Sequence, residues 1–232
     1  NGVLQAPISS YTISGSTIIF AAALTTDDSI DFITVLGDVL DLGVPSDGAV
    51  GNTQLADTLK VGKQSIWVPA TSMVPTASNG CASVATVETT SGRPDMNVLD
   101  FDKDSDEHAQ FSVAFPKSWN AGTVTFQFFW SGLAATTGVS MGLQGVAFAD
   151  NDSIDTAYGT AVVVDDDAQG AVEELLVSAE SGAVTIAGSP GDDELCYFRI
   201  FRDVSDSNDD MAGDCRLHGI KLFFTVDAAN DA

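Results

Sequence analysis

Strict alternation of apolar and polar residues is the feature that most limits how this chain folds. Residues 109–115 (AQFSVAF) place an apolar side chain at every second position until Pro116 ends the run. Residues 124–130 (VTFQFFW) repeat the pattern directly after a turn signal at 120–122 (NAG). A period of two puts the apolar side chains on one face of an extended chain, which predicts half-buried β-strands.

Further strands are predicted at 65–69, 96–101, 140–148, 172–177, 183–187, 195–201 and 217–226. The apolar, glycine-rich 140–148 is typical of a strand that is covered on both faces. In the last segment, five residues are predicted to share one face: His218, Ile220, Leu222, Phe224 and Val226. Roughly eight to ten short strands without any helical period predict an all-β, antiparallel β-sandwich that is jelly-roll-like, with a Greek-key sandwich as the alternative.

Residues 1–45 are predicted to form a small N-terminal β module. YTISGSTIIF (11–20) indicates a hairpin that turns at Ser14-Gly15, and IDFITVL (30–36) indicates a third strand. Three short strands are marginally stable alone. We therefore expect the module to pack on other sequence, and we expect a further strand upstream of Asn1.

A change in composition separates this module from the rest of the chain. The stretch 42–64 is rich in Gly, Ser, Thr, Asp and Asn, which predicts a linker over 46–64. A short amphipathic piece at 50–61 favours one or two helical turns, which would lie near the axis of a trimer. The remainder, 65–232, is predicted to be the C-terminal jelly-roll-like domain.

The charge balance excludes several classes of partner. The chain has nine Lys and Arg against 33 Asp and Glu, and its net charge is -24. Nucleic-acid binding needs a basic surface that displaces counterions, so we expect no nucleic-acid partner. Anionic lipid is disfavoured for the same reason. No apolar run reaches the ~18 residues of a membrane-spanning helix, so no membrane insertion is predicted.

Cysteine and histidine are too few and too scattered for a zinc site of the usual spacing. Cys196 alternates with apolar neighbours, which predicts a small buried side chain. The three cysteines allow one possible disulfide, between Cys196 and Cys215, which would leave Cys81 unpaired.

An acidic turn, LDFDKDSDEHAQ (99–110), raises the question of a metal site. Asp102, Asp104 and Asp106 alternate as calcium ligands do, but Glu107 and Val113 stand where a helix-loop-helix calcium site needs Gly and Glu. A looser calcium site on these three aspartates remains one hypothesis. The favoured alternative is a solvated turn, because Asp and Ser bond to nearby backbone.

Catalysis at this turn is the least favoured alternative. A glycosidase needs one carboxyl group whose pKa is raised above that of its partner, and an acid among other exposed acids has no evident way to be singled out. Other acidic runs are predicted to lie between strands, at 150–152, 165–167, 192–194 and 206–210. The loop 204–214 (VSDSNDDMAGD) is the second calcium candidate.

Motifs for enzyme chemistry are not present. The chain has neither a GxSxG sequence nor a phosphate-binding glycine loop, and His218 is predicted to lie in the core. Tryptophan is the residue type that points to sugar binding. Trp119, in a PKSWNAG turn, is the predicted exposed aromatic ligand, Trp130 is predicted to be buried, and Trp67 is undecided.

Several stretches resemble bacteriophage structural proteins. Residues 1–37 resemble the attachment hairpin of short-tailed phage tail fibres, and LDLGVPSDGAVGNTQLAD (40–57) is similar to the PxDGxVxxxxLAD linker of such fibres. Three segments resemble a C-terminal domain that is common in marine phages: 65–80, 99–130 and 201–232. In this family the acidic turn looks like part of the domain fold.

The resemblance implies a virion protein on the tail or capsid surface. It implies a homotrimeric tail or head fibre, attached by its N-terminal part to other virion proteins such as portal, tail or capsid. The distal β-sandwich would then adhere to host cell-surface glycan. The resemblance carries over no catalytic residue, and we expect a protein that is not an enzyme.

Two alternatives use the same fold. One is a capsid decoration or tail adaptor protein without a receptor role. The other is a depolymerase, which ranks last because such enzymes on fibres are usually long repetitive β-helices, and no such repeat is present in the chain.

Overall fold

A computed structural model describes residues 8, 10–15, 17–27, 29–30, 50, 56, 61–172 and 174–231. The chain divides into two compact units, Asn1–Val50 and Gly51–Ala232. Most residues of the predicted third strand (30–36), of the predicted helical turns (50–61) and of the predicted linker lie outside the described residues. Within the described part of the chain, no helix is long and apolar enough to cross a membrane.

The first unit contains the predicted hairpin. Strands β1 (Tyr11–Ser14) and β2 (Thr17–Phe20) pair antiparallel, with Tyr11 opposite Phe20. Gly15 has a φ of 61°, a conformation that costs glycine little and other residues more, so the sequence places its glycine where the turn requires one. The hairpin prediction is confirmed.

The described part of the second unit is built from β-strands and one short 3-10 turn (Ala70–Ser72). The strands are β3 (Gly62–Pro69), β4 (Val74–Pro75), β5 (Ala85–Glu88), β6 (Asp95–Phe101), β7 (His108–Ala114), β8 (Thr125–Ser131), β9 (Gly138–Phe148), β10 (Val162–Asp167), β11 (Leu176–Val177), β12 (Ile186–Ala187), β13 (Leu195–Arg202) and β14 (Cys215–Val226). Strand β3 begins three residues before the predicted start.

These strands form two sheets. The first has the order β10-β9-β13-β7-β4, with β12 also paired to β9. The second has the order β11-β8-β14-β6-β5, with β3 also paired to β14. The strand pairs in both are antiparallel except for the short β9–β12 pair. Strands β6 to β9 alternate between the sheets, as in jelly rolls, and the prediction of an all-β sandwich is confirmed.

The core lies between the two sheets and consists of the apolar residues at alternate strand positions. Phe111 and Phe198 stack in the first sheet with their ring centroids 5.3 Å apart. Phe115 contacts Phe198 at 6.2 Å and Phe224 of the second sheet at 5.2 Å, so it joins the two layers. Each fully buried aromatic ring contributes about 1.5–3 kcal/mol through burial.

Strand β9 is buried on both faces along nearly its whole length, as its glycine-rich, apolar sequence predicts. Strand β10 differs from the prediction, because the acidic run 165–167 lies in this strand and not in a loop. The run is tolerated there because β10 is an edge strand. Asp165 accepts a hydrogen bond from Ser140 Oγ at 2.7 Å, and Asp166 accepts one from Trp130 Nε1 at 2.7 Å.

A bulge changes the face to which His218 belongs. The register between β14 and β8 shifts between Leu217 and Gly219. The residues from Ile220 to Val226 keep the predicted core face at every second position, whereas His218 is half-buried and its Nε2 lies 3.1 Å from Ser131 Oγ. The prediction that His218 shares the core face is therefore wrong, because a bulge interrupts the period of two.

All three cysteines are free and buried. The open possibility of a Cys196–Cys215 disulfide is thus not realised, and the prediction that Cys196 is a buried small side chain is confirmed. Burial raises the pKa of each thiol to about 12. Neutral thiols are poor nucleophiles, so these residues act as core side chains.

Candidate functional site

The acidic turn uses its carboxylates to hold backbone. Asp102 Oδ1 accepts a hydrogen bond from the Asp104 N–H at 2.5 Å, and Glu107 Oε2 accepts one from the Asp102 N–H at 2.8 Å. Asp106 Oδ1 accepts from the Val204 N–H at 3.0 Å, which ties this turn to the next acidic loop. These bonds are the ones expected of a structural turn.

The described residues contain no group of three or more His, Cys, Asp or Glu side chains placed to hold a metal ion. The carboxylates of Asp102 and Asp106 thus accept from separate backbone N–H groups, whereas the carboxylate of Asp104 pairs with the Lys103 ammonium at 2.6 Å. Calcium at these residues stays an untested hypothesis beside the favoured solvated turn.

The second acidic loop, 204–214, is organised around a buried arginine. Arg202 is fully buried, and its Nε and Nη2 donate to the two carboxylate oxygens of Asp209 at 2.9 and 2.7 Å. The guanidinium also donates to the carbonyls of Met211 at 3.0 Å and Gly213 at 2.8 Å. In this loop, the second calcium candidate, the Arg202 guanidinium therefore supplies the positive charge that pairs with Asp209.

Two opposing effects act on this arginine. Burial alone lowers the pKa of Arg202, while the hydrogen bonds and charge of Asp209 raise it, and the net effect is a raised pKa. The guanidinium is therefore charged, and its five donors suit a fork of two carboxylate oxygens and neighbouring carbonyls. The loop is held to the sandwich by this ion pair.

Trp119, the predicted sugar-binding aromatic, is buried, with only 4% of its surface exposed. Its backbone N–H donates to the Pro116 carbonyl at 2.9 Å, and its ring centroid lies 4.2 Å from that of Phe115. The turn after β7 folds the indole onto the core, so the prediction of an exposed aromatic at this position is wrong. Trp130 is fully buried, as predicted.

Trp67, undecided from sequence, is the exposed tryptophan, with 48% of its surface accessible. It lies on the outer face of the second sheet, on β3. We call the outward-facing side chains of three adjacent strands the Trp67 face. It comprises Lys63, Ser65 and Trp67 on β3, Lys221, Phe223 and Thr225 on β14, and Thr125, Gln127 and Phe129 on β8.

The strand register arranges these side chains in rows. One row runs from Trp67 through Lys221 to Gln127. The row beside it runs from Ser65 through Phe223 to Thr125. Neighbouring strands are about 4.8 Å apart, so each row presents an aromatic ring, with polar groups within one or two strand spacings.

Two contacts fix the orientation of the Trp67 ring. The ring of Phe129 meets it edge-on, with centroids 4.9 Å apart and an interplanar angle of 85°. A Cβ atom on Gly219 would lie 2.8 Å from Cζ2 and 2.9 Å from Cη2 of the indole, so the ring lies against the glycine backbone. Gly219 is also the residue of the bulge, with a φ of 155°. The bulge therefore creates the seat of the exposed tryptophan.

Two lysines share one aromatic ring on the same face. The Nζ atoms of Lys63 and Lys221 lie 4.7 and 5.0 Å from the ring centroid of Phe223. Glu180, which borders the face, forms an ion pair with Lys63 and accepts a hydrogen bond from Thr125. These two contacts lower the pKa of Glu180.

Two shallow grooves open elsewhere on the described surface, with volumes of about 510 and 500 Å³. The first is lined by small residues around Gly159 and Thr185, and the second by the acidic turn and Val204. Neither lining contains an aromatic or histidine side chain. The Trp67 face is therefore the stronger candidate for a binding site.

A signal for this face is present in the sequence. Ser65 and Trp67 alternate with Ile66 and Val68, which pack in the core. In the same way, the polar faces of β8 and β14 each carry one aromatic residue, Phe129 and Phe223. A group of aromatic residues on the polar faces of adjacent strands indicates a ligand-binding surface.

No protein-family model matches this chain, and no curated protein sequence matches it. Several solved structures are similar to part of this chain. The isomalto-dextranase of Arthrobacter globiformis T6, complexed with panose, has 18% identity and a TM-score of 0.41, and the likeness covers 68% of this chain and 23% of that enzyme.

The CBM35 from Cellvibrio japonicus Abf62 has 9% identity and a TM-score of 0.38, over 68% of this chain and 92% of that module. The enzymatically active domain of tailspike protein 4 of bacteriophage CBA120 has 5% identity and a TM-score of 0.35, over 71% of this chain and 19% of that domain. The first and third likenesses span less than a quarter of the other chain. The Trp67 face itself is what points to a function.

Proposed function

We propose that the C-terminal β-sandwich binds glycans through the Trp67 face. The observation that carries the proposal is an indole that is 48% exposed and yet held from two sides, by Phe129 and by the backbone of Gly219. A rigid aromatic ring offers a large apolar contact at a small cost in conformational entropy. A sugar ring presents apolar C–H groups on its faces and hydroxyl groups at its edge, so it suits such a ring with polar neighbours.

The polar neighbours supply the rest of such a site. Lys221 and Gln127 lie in the same row as Trp67, and Ser65 and Thr125 lie in the next. A few placed donors and acceptors around an apolar surface are what fix the orientation of a small ligand. The row direction sets the path of a bound saccharide across β3, β14 and β8.

Binding without catalysis suits this face best. Glycosidic hydrolysis needs two carboxyl groups, one of which has a raised pKa. Glu180 borders the face, and its contacts with Lys63 and Thr125 lower its pKa. A carboxylate held in its charged form is a poor general acid.

The sequence resemblance supports the wider setting of the proposal. In this setting, the chain is a homotrimeric phage tail or head fibre on the virion surface. Its N-terminal part attaches it to other virion proteins. The Trp67 face would then meet host-surface glycan. Light scattering that gives the mass of three chains, together with binding of the protein to host cells, tests this setting. Binding to virions but not to cells indicates a decoration or adaptor protein.

The experiment for the glycan proposal is a binding screen with two alanine variants. Trp67→Ala removes the exposed ring, and Tyr158→Ala removes a half-buried ring that lies beside Arg199, outside the Trp67 face. We expect Trp67→Ala to weaken glycan binding about tenfold or more, which corresponds to about 1.4 kcal/mol. Tyr158→Ala should bind as the wild type does. Equal loss in both variants, or no loss in Trp67→Ala, would contradict the proposal.

A further inference from the structure

Two lysines lie on the Trp67 face of a strongly acidic chain. The chain has nine Lys and Arg for a net charge of -24. Two of the nine, Lys63 and Lys221, hold their ammonium groups over the single ring of Phe223. Such placement keeps both charges at the surface of the sheet, close to the exposed indole.

Lys221 differs from most other basic residues of the chain. Four other basic residues pair with an acid within 4.0 Å: Lys103 with Asp104, Lys117 with Asp193, Arg202 with Asp209 and Arg216 with Asp100. Lys63 pairs with Glu180. Among the described residues, no carboxylate lies within 4.0 Å of the Lys221 Nζ atom. A lysine with no acid partner in the described part of the chain has its charge available to a ligand.

We infer that the ligand of the Trp67 face is an anionic glycan, one that carries carboxylate or sulfate groups. The inference rests on the proposed function and names its ligand class. Lys221 is the cross-strand neighbour of Trp67, so a sugar stacked on the indole brings an acidic substituent on its ring edge to the Lys221 ammonium. A charge-assisted hydrogen bond between the two is about twice as strong as a neutral one.

Repulsion from the rest of the chain does not prevent this contact. At physiological ionic strength the Debye length is ~8 Å, so exposed charges further away are largely screened, while a contact at hydrogen-bond distance is screened little. Glu180, the acid that borders the face, is itself paired with Lys63. Lys221 is therefore the charge that a ligand on the face experiences first.

The test compares charged polysaccharides with their neutral counterparts. Polygalacturonate and alginate, and the same polymers after chemical reduction of their carboxyl groups, are titrated against the wild type, Trp67→Ala, Lys221→Gln and Lys103→Gln. Lys103→Gln makes the same charge change on the acidic turn and serves as the matched control. Chondroitin sulfate extends the panel to sulfate groups.

We expect the wild type to bind at least one anionic polymer and to lose about tenfold or more in affinity when its carboxyl groups are reduced. Lys221→Gln should lose a similar factor on the anionic polymer, and Lys103→Gln should lose none. Glu180→Gln frees Lys63 from its ion pair, so this variant should bind the anionic polymer about two- to fivefold more tightly.

Two other outcomes overturn the inference in distinguishable ways. Binding that is equal for the reduced and unreduced polymers, unaffected by Lys221→Gln but lost in Trp67→Ala, overturns the anionic ligand and leaves the glycan face in place. A wild type that binds none of the charged or neutral polymers overturns the anionic ligand and counts against the glycan face as well.

Discussion

The Arg202–Asp209 ion pair gives the sharpest prediction about stability. Both side chains are essentially inaccessible, at 0% and 2% exposure. Asp209→Ala removes the two contacts to the guanidinium at 2.9 and 2.7 Å and the hydrogen bond from the Ser140 N–H at 3.1 Å. It leaves the guanidinium with carbonyl partners but no anion. Leaving a buried charge unpaired costs about 3–5 kcal/mol. For a domain of this size, we expect a decrease in melting temperature of about 6–20 °C.

Urea unfolding, followed by the fluorescence of the tryptophans, measures this cost. Lys103→Ala is the control, because its partner is the exposed Asp104 and such pairs contribute at most about 1 kcal/mol. The double variant Arg202→Met/Asp209→Leu replaces the ion pair by apolar groups and should be less destabilised than Asp209→Ala. A loss in Asp209→Ala no larger than that in Lys103→Ala would refute the assignment of this pair as the anchor of the 204–214 loop.

Three further predictions concern pH, thiols and metal. Burial lowers the pKa of His108 and His218 below the ordinary value of 6.5, so the unfolded chain takes up protons first as the pH falls. The free energy of unfolding should therefore decrease below about pH 6.5, and His108→Gln should weaken that dependence. The buried thiols should resist a thiol reagent at about pH 8 in the native protein and react in urea, as judged by absorbance. EDTA should leave the melting temperature unchanged, whereas a decrease that calcium reverses would support calcium at Asp102, Asp104 and Asp106.

Alternation of apolar and polar residues predicts the sandwich well, because the apolar residues of each long strand recur with a period of two. The predicted 109–115 and 195–201 runs correspond to β7 and β13, within one residue at each end. The same rule fails where local bonding replaces burial as the determinant. The acidic 165–167 lies in β10 because Ser140 and Trp130 donate to its aspartates, and no local pattern reveals donors from distant strands.

The candidate site is harder to predict than the fold. The exposure of Trp67 depends on a bulge at Gly219, and a bulge changes the register without changing the composition. The polar turn around Trp119 predicts an exposed side chain, yet that turn folds back onto Phe115. Tertiary packing decides both cases, so sequence supplies the aromatic candidates and structure selects among them.

Quenching of tryptophan fluorescence by acrylamide tests the central claim, that glycans bind on the Trp67 face, most directly. Trp119 and Trp130 are 4% and 0% exposed, so the quenchable emission comes from Trp67. A saturating glycan from the binding screen should protect this emission, and the quenchable fraction should be absent from Trp67→Ala even without glycan. Tight glycan binding that leaves the quenching of Trp67 unchanged would contradict the claim and move the site elsewhere on the molecule.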